Sequence, residues 1–252
     1  VEAALALVQS TCANSPSIWL LSHTQRAVCP PQHAGLWGLA RSVRAESLLL
    51  LSCIDGAPMA ALEQSLPLAE LEVAVEVCAP LVPRLSHAQL AALSTAVRAA
   101  SSAHLVTGGT GGIGLLTARW IMQSGVTRTL TLASRNGAVA HDPLNEWSIL
   151  VAAETAAMVQ RCDFAERASS VRLMVLAKGA ASAMGVWHAA GVLADSILPR
   201  QTSKALASVY APKVHGSWTL RGASAMDLVR VNVLFSSGSG LLGNAGQANY
   251  SA

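Results

Sequence analysis

His104–Leu116 reads HLVTGGTGGIGLL, an apolar strand signal running into a glycine-dense turn and then into a helix. His104–Val106 carries the strand signal. Glycines follow at positions 108, 109, 111, 112 and 114, and Ile113–Trp120 has helical character. Glycine lets a backbone turn tightly and come close to a pyrophosphate, and a helix N-terminus adds free N–H groups and a positive dipole end. The same turn could simply pack a strand on a helix and bind nothing. The placement between strand and helix favours the phosphate-binding alternative.

Downstream, strands and helices alternate. Thr129–Ala133 is a strand signal ending at Ser134-Arg135-Asn136-Gly137, and a helix falls within Asn145–Ala157. Met158–Arg161 is a strand ending at Cys162-Asp163, followed by a helix over Arg167–Gly179. Ala183–Trp187 is a strand ending at His188-Ala189-Ala190-Gly191. A long helical stretch covers Lys204–Leu220, and Val229–Phe235 is a strand ending at Ser236-Ser237. This order predicts an α/β fold with a doubly wound, mostly parallel Rossmann-type sheet covered on both faces. The polar residues fall at the C-terminal ends of strands, where open parallel sheets bind ligands.

Upstream, residues 1–16 suggest a helix tail and a turn at Pro16, and Ser17–Ser22 a buried strand. His33–Glu46 places Leu36, Trp37, Leu39, Ala40 and Val43 at helical spacing. Strand Leu48–Ile54 turns at Asp55-Gly56. A helix around Met59–Ser65, a strand around Leu71–Val77 and an edge strand at Val82–Leu85 follow, since an edge tolerates Pro83. This half lacks a glycine-rich phosphate turn and reads as structural. Ser86–Ser102 reads as a short joining helix. The expected division is therefore 1–100, a structural subdomain, and 101–252, a dinucleotide-binding subdomain.

Composition narrows the class. The chain has 252 residues, 52% hydrophobic and 12% charged, which excludes a disordered chain. A net charge of +3, with no basic run interleaved with aromatics, argues against nucleic acid. No apolar run is long enough to span a bilayer. The cysteines at 12, 29, 53, 78 and 162 form no CxxC and suit reduced core thiols. With no signal-peptide pattern at the start, this points to the cytoplasm. The chain starts at Val1 and stops at Tyr250-Ser251-Ala252, and both ends read as cut from something longer. No metal-ligand spacing, GxSxG or Walker ending occurs.

Arg135 lies 21 residues after Gly114, where an acidic residue would hold an adenosine ribose. A basic residue beside Ser134 suits a 2′-phosphate instead, favouring NADPH. Asp163 either accepts a hydrogen bond from an adenine amine or caps the helix beginning near Glu166. Ser237 and Tyr250 are 13 residues apart. A phenol can protonate a carbonyl oxygen as hydride arrives at carbon while a serine hydroxyl orients that oxygen. Tyrosine's reference pKa is near 10, so such a group needs a nearby cation, for which Lys213 is the candidate. His188 reads as a histidine satisfied by backbone contacts rather than as a base.

These motifs together resemble the ketoreductase domain of modular type I polyketide synthases, within the short-chain dehydrogenase/reductase superfamily. The matching pieces are TGGTGGIG at Thr107–Gly114, SRNG at Ser134–Gly137, Cys162-Asp163, HAAGVLAD at His188–Asp195, Lys213 in PKVHG, LFSS at Leu234–Ser237 and GQANYSA at Gly246–Ala252. GLWGLARSVRAE at Gly35–Glu46 is similar to the family's structural subdomain, a truncated Rossmann-like unit without a cofactor site, so the resemblance implies that 1–100 is that subdomain and 101–252 the catalytic NADP-binding Rossmann subdomain, C-terminally incomplete. The resemblance implies NADPH-dependent reduction of a β-ketoacyl group held on the phosphopantetheine arm of an acyl carrier protein, within a multidomain synthase. It gives Tyr250 the role of proton donor, Ser237 that of carbonyl orienter and Lys213 that of lowering the phenol's pKa and relaying the proton. It implies cofactor contacts from Thr107, Gly108, Gly109, Thr110, Gly111, Gly112, Ile113, Gly114, Ser134, Arg135, Cys162, Asp163, Ala189, Ala190 and Gly191. The family's active-site Asn, four residues past the Tyr, would lie beyond Ala252. Leu193-Ala194-Asp195 keeps the last Asp of the LDD motif, and Leu242 stands where the opposite class has Trp, so the resemblance leans to B-type stereochemistry with Asp195 as the candidate determinant; an N-cap before Leu198 is the competing role for Asp195. Ala245, where epimerising members often have Pro, does not suggest epimerisation. The competing functions are a fatty acid synthase ketoreductase, a free-standing short-chain dehydrogenase, and an inactive nucleotide-binding or scaffolding domain of a megasynthase.

Overall fold

The computed structural model describes residues 1–11, 17–22, 31–47, 49–56, 70–76, 79–86, 103–125, 129–139, 145–153, 156–181, 184–224 and 229–252. The turn at Pro16, the helix read around Met59–Ser65, the joining helix after Ser86, and Cys12, Cys29 and Cys78 lie outside the described residues. In chain order the elements are α1 (Glu2–Thr11), β1 (Ser17–Ser22), α2 (Pro31–Glu46), β2 (Leu50–Asp55), β3 (Glu72–Glu76), β4 (Ala79–Leu81), β5 (Ala103–Thr107), α3 (Gly112–Gln123), β6 (Thr129–Ser134), α4 (Glu146–Ala152), β7 (Ala156–Arg161), α5 (Arg167–Lys178), β8 (Met184–His188), a 3-10 turn (Leu198–Arg200), α6 (Ser203–Tyr210), a π turn (Ala211–His215), α7 (Gly216–Ser224), β9 (Val229–Leu234), α8 (Gly238–Leu242) and α9 (Ala248–Ser251). They pack as two units. One comprises Val1–Ala88, Leu193–Val209 and Ser236–Ala252, and the other Gln89–Val192 and Tyr210–Phe235.

The first unit holds a sheet in the order β1-β2-β3-β4, with β1, β2 and β3 parallel and β4 antiparallel. Successive side chains of β1 point to opposite faces, so Ile18, Leu20 and Ser22 are buried while Ser17, Trp19 and Leu21 are exposed. Trp37, Leu39, Ala40 and Val43 form the apolar face of α2 and join Ile18, Leu20 and Leu51 in one core, as the helical spacing predicts. The edge strand is not Val82–Leu85 but Ala79–Leu81. Its register sets Leu81 opposite Ala74 and Ala79 opposite Glu76, so pairing runs off the start of β3 near Pro83. Pro80 is tolerated there because an edge strand need not donate on both sides.

The second unit is built on an all-parallel sheet in the order β7-β6-β5-β8-β9. Every residue of β5 and of β8 is buried, as expected for central strands covered on both faces. On one side Leu105, Phe164, Leu173, Met174 and Val186 pack together, and on the other Val106, Leu115, Ile121, Leu132 and Trp187. The chain passes from β5 to β6 on one flank and returns to β8 on the other. The strand order therefore reverses at β5, and the ligand crevice of such a sheet opens at that strand's C-terminal end, Thr107. The helix expected over Lys204–Leu220 is interrupted at Ala211–His215 by a π turn. Pro212 has no N–H to give the helical ladder, so the hydrogen-bond ring widens there. Among the described residues, no helix is long and apolar enough to cross a membrane. Cys53 and Cys162 are both buried thiols.

Candidate active site

In the second unit, four strand ends meet around the glycine turn. Gly108 has φ +65°, and a Cβ there would lie 2.7 Å from the Ala190 Cα, so only glycine lets the turn lie against the end of β8. A Cβ on Gly114 would lie 2.2 Å from the Gly108 carbonyl oxygen, which closes the turn onto the first turn of α3. Gly109 N–H donates to the Ala133 carbonyl at 3.1 Å, Ala189 N–H to the Thr107 carbonyl at 3.1 Å and Cys162 N–H to the Ser134 carbonyl at 2.9 Å. These bonds gather Thr107–Gly114, Ser134, Cys162 and Ala189–Gly191. Gly111, Gly112 and Ile113 are exposed at the start of α3, and a Cβ on Gly112 would meet no atom within 4 Å. The open space lies where the unpaired N–H groups of a helix start favour an anion, so the turn fits a dinucleotide pyrophosphate.

The neighbouring side chains differ in what they offer. Ser134 Oγ accepts from Gly137 N–H at 3.1 Å and shapes the turn that carries the exposed Arg135. Cys162 turns its side chain into the core at 4% exposure, and burial pushes its thiol pKa up. Asp163 does not cap α5, whose N-cap is Glu166. Its Oδ1 accepts from Ala165 N–H at 3.0 Å and so forms the turn ahead of the helix, leaving the residue exposed.

Lys213 lies in the π turn. Its Nζ donates to the Phe235 carbonyl at 2.8 Å, and desolvation by burial lowers the ammonium pKa. A Cβ on Gly191 would come within 3.0 Å of the Lys213 Cε, so the glycine admits the lysine stem. His188 is 2% exposed and its ring is satisfied, Nδ1 by the Thr107 hydroxyl at 2.6 Å and Nε2 by the Lys213 carbonyl at 3.4 Å.

Ser237, Tyr250 and Asp195 belong to the first unit. Ser237 is the N-cap of α8, and its Oγ accepts from Ser239 N–H at 3.2 Å. That bond occupies a lone pair and leaves the hydroxyl proton to be donated. Tyr250 lies half-buried in α9, between the buried Asn249 and Ser251. Asp195 is not an N-cap, since Ile197 occupies that place before the 3-10 turn. Its Oδ2 accepts from Gln247 Nε2 at 3.0 Å, and Asn249 Nδ2 donates to the Ala194 carbonyl at 2.7 Å. Two side-chain amides thus fix the Ala194-Asp195 segment to the segment that carries Tyr250.

The residues holding this segment escaped the sequence reading. One stripe of α2 does it. Arg41 Nη1 donates to the Gly240 carbonyl at 2.9 Å, and the Ser42 and Ser251 hydroxyls bond at 2.7 Å. The Glu46 carboxylate accepts from Leu198 N–H and, at 3.0 Å, from Gly246 N–H. The available signal was GLWGLARSVRAE itself, whose polar residues interrupt an otherwise apolar helix face. Glu46→Ala would leave both N–H groups without their acceptor and is expected to cost about 2 kcal/mol. Glu46→Gln keeps one acceptor oxygen and should cost roughly half as much. Urea unfolding midpoints of the two variants check this.

A reversing parallel sheet with a glycine turn at its switch point defines a Rossmann-type domain. The family model described as "KR domain" matches residues 102–252, more than half of the chain. The chain belongs to that family, the ketoreductase domains of modular type I polyketide synthases. The naringenin synthase of Pestalotiopsis fici is 32% identical over 253 residues, covering 95% of this chain and 9% of that protein. Polyketide synthase GfsE of Streptomyces halstedii is 35% identical over 229 residues, covering 87% of this chain and 6% of that protein. The chain therefore spans less than a tenth of these curated relatives. Among solved structures, an A-type ketoreductase from a modular polyketide synthase superposes with a TM-score of 0.83 at 27% identity, over 98% of this chain and 56% of that one. The first ketoreductase of the tylosin synthase gives 0.80 at 28% identity, over 99% and 57%. The family places the chain among oxidoreductases that bind a nicotinamide dinucleotide.

Proposed function

We propose that this chain reduces a β-ketoacyl thioester, carried on the phosphopantetheine arm of an acyl carrier protein, to the β-hydroxyacyl thioester with NADPH. The observation that carries the reading is the glycine turn at the sheet's switch point, with exposed Arg135 at the end of the adjacent strand β6. Bound NADPH supplies a hydride to the carbonyl carbon. The first turn of α3 and Gly108–Gly114 would hold the pyrophosphate, Arg135 and Ser134 the 2′-phosphate, and Asp163 would accept from the adenine amine. Ser237, its oxygen already accepting from Ser239 N–H, donates its proton to the substrate carbonyl. Tyr250 delivers a proton to the oxygen as charge develops there, and Lys213 supplies the cation that supports that transfer. The neighbouring synthase domains deliver the carrier. Asp195, held by Gln247, selects the carbonyl face, with Leu242 in place of the opposite class's Trp, which supports the B-type outcome.

The test is reduction of a β-ketoacyl thioester against simple ketones, with NADPH and NADH compared. A preference for simple ketones would overturn the substrate class. Arg135→Ala is expected to weaken NADPH binding by about 10-fold or more, the loss of a charged hydrogen-bond partner, and to leave NADH binding as it was. Fluorescence titration with the two nucleotides measures both, and equal losses would remove Arg135 from the 2′-phosphate.

A further inference from the structure

His188 sits at the end of β8, and the proposed reduction gives its ring no role. The backbone N–H of Phe235 donates to the His188 carbonyl at 3.1 Å, the Lys213 ammonium donates to the Phe235 carbonyl at 2.8 Å, and His188 Nε2 faces the Lys213 carbonyl at 3.4 Å. The three residues form a closed ring of hydrogen bonds within the second unit. A carbonyl only accepts, so Nε2 must carry the proton. Nδ1 is then the acceptor, and the Thr107 hydroxyl donates to it at 2.6 Å. Thr107 Oγ1 in turn accepts from Ala190 N–H at 3.4 Å. Every donor in this chain meets an acceptor, and the line runs from the strand residue that opens the glycine turn to the backbone of the lysine.

The π turn interrupts the regular ladder. Pro212 gives no N–H to the carbonyls one turn upstream, and the Lys213 carbonyl, which accepts from Gly216 N–H, faces the imidazole as a second, side-chain donor that ties the turn to the end of β8. Gly216 leaves the room: a Cβ there would lie 3.1 Å from the His188 Cε1. Burial holds the imidazole below its usual pKa, with the Lys213 and Pro212 carbonyls opposing and the Lys213 charge adding to the effect, a shift in favour of the neutral ring.

We propose that His188 is a positioning residue for Lys213, pinning the π turn so that the ammonium is presented from a fixed backbone. This rests on the reading that Lys213 serves the reduction. It is tested by two measurements on the full chain. In nitrogen-15 NMR of the labelled imidazole, Nε2 is expected to be protonated and Nδ1 bare; the opposite tautomer overturns the proposal, and this measurement needs no variant to fold. In kinetics, His188→Ala is expected to lower kcat about 100-fold, the scale of a misplaced catalytic group, with KM nearly unchanged. His188→Gln, which restores a side-chain N–H, should recover much of the loss. Equal rates for the Ala and Gln variants, or a loss in KM alone, overturn it. If the wild-type protein reduces no ketoacyl thioester, the functional reading fails separately. The hydrogen-bonded Lys213 ammonium resonance then decides the ring, because its persistence unchanged in His188→Ala overturns the pin.

Discussion

Tyr250→Phe is expected to lower kcat for β-ketoacyl thioester reduction by about 10³-fold, the scale of losing a positioned general acid, while NADPH binding stays within a factor of about two. The two expectations follow from where the residue sits. Tyr250 belongs to α9 in the first unit, whereas the glycine turn and Arg135 belong to the second. Removing one oxygen deletes a proton donor without removing any group assigned to the dinucleotide. The ring itself remains, so the packing of α9 is kept; its neighbours Asn249 and Ser251 hold their own bonds to Ala194 and Ser42. Stopped-flow loss of NADPH absorbance measures the rate, and nucleotide fluorescence the affinity. Reduction at the wild-type rate by the Phe variant would end the proposed mechanism. A parallel loss of NADPH affinity would instead show that the phenol acts through the cofactor's binding.

Ser237→Ala tests the complementary role but carries a second effect. The Ser237 oxygen caps α8 through Ser239 N–H, so its removal also frays a five-residue helix. For that reason Tyr250 is the cleaner test of the chemistry.

The geometry of the glycine turn was legible because it is written locally. Glycines between an apolar strand and a helix report a tight turn whatever the rest of the chain does, and the offset from Gly114 to Arg135 reports one strand crossing. Pro212 is likewise a local sign, yet its consequence was missed. A proline within a helical pattern announces a broken ladder, and the π turn that presents Lys213 is the form the break takes. The edge strand was misplaced because Pro80 and Pro83 are equally compatible with an edge, and only the register with β3 separates them. Least legible was the support of the Tyr250 segment. Arg41, Ser42 and Glu46 reach residues some 200 positions away. Helical periodicity assigns a face to α2, but cannot say which polar residues on it meet a distant backbone.

Gly38→Ala follows from that support and should be the most damaging single-methyl change in the first unit. A Cβ at Gly38 would lie 1.7 Å from the Ser251 carbonyl oxygen and 2.6 Å from its carbon. The obstacle is backbone, so no side chain can rotate away; α2 or α9 must move. Ser42 lies one helical turn further along α2, on the same face, and its hydroxyl bond to Ser251 at 2.7 Å would be broken by the same movement. The added methyl therefore costs overpacking together with a buried hydrogen bond, an expected loss of about 3 kcal/mol or more. Gly222→Ala in α7 is the control: a Cβ there meets nothing within 4 Å, and helix propensity alone predicts a gain of about 0.5 kcal/mol or more. Unfolding midpoints should move in opposite directions for the two variants. Any Gly38→Ala protein that does fold should bind NADPH and yet reduce substrate slowly, since the shift falls on the segment bearing Tyr250 and not on the glycine turn. A Gly38→Ala variant with wild-type stability and turnover would show that α2 does not hold that segment in place.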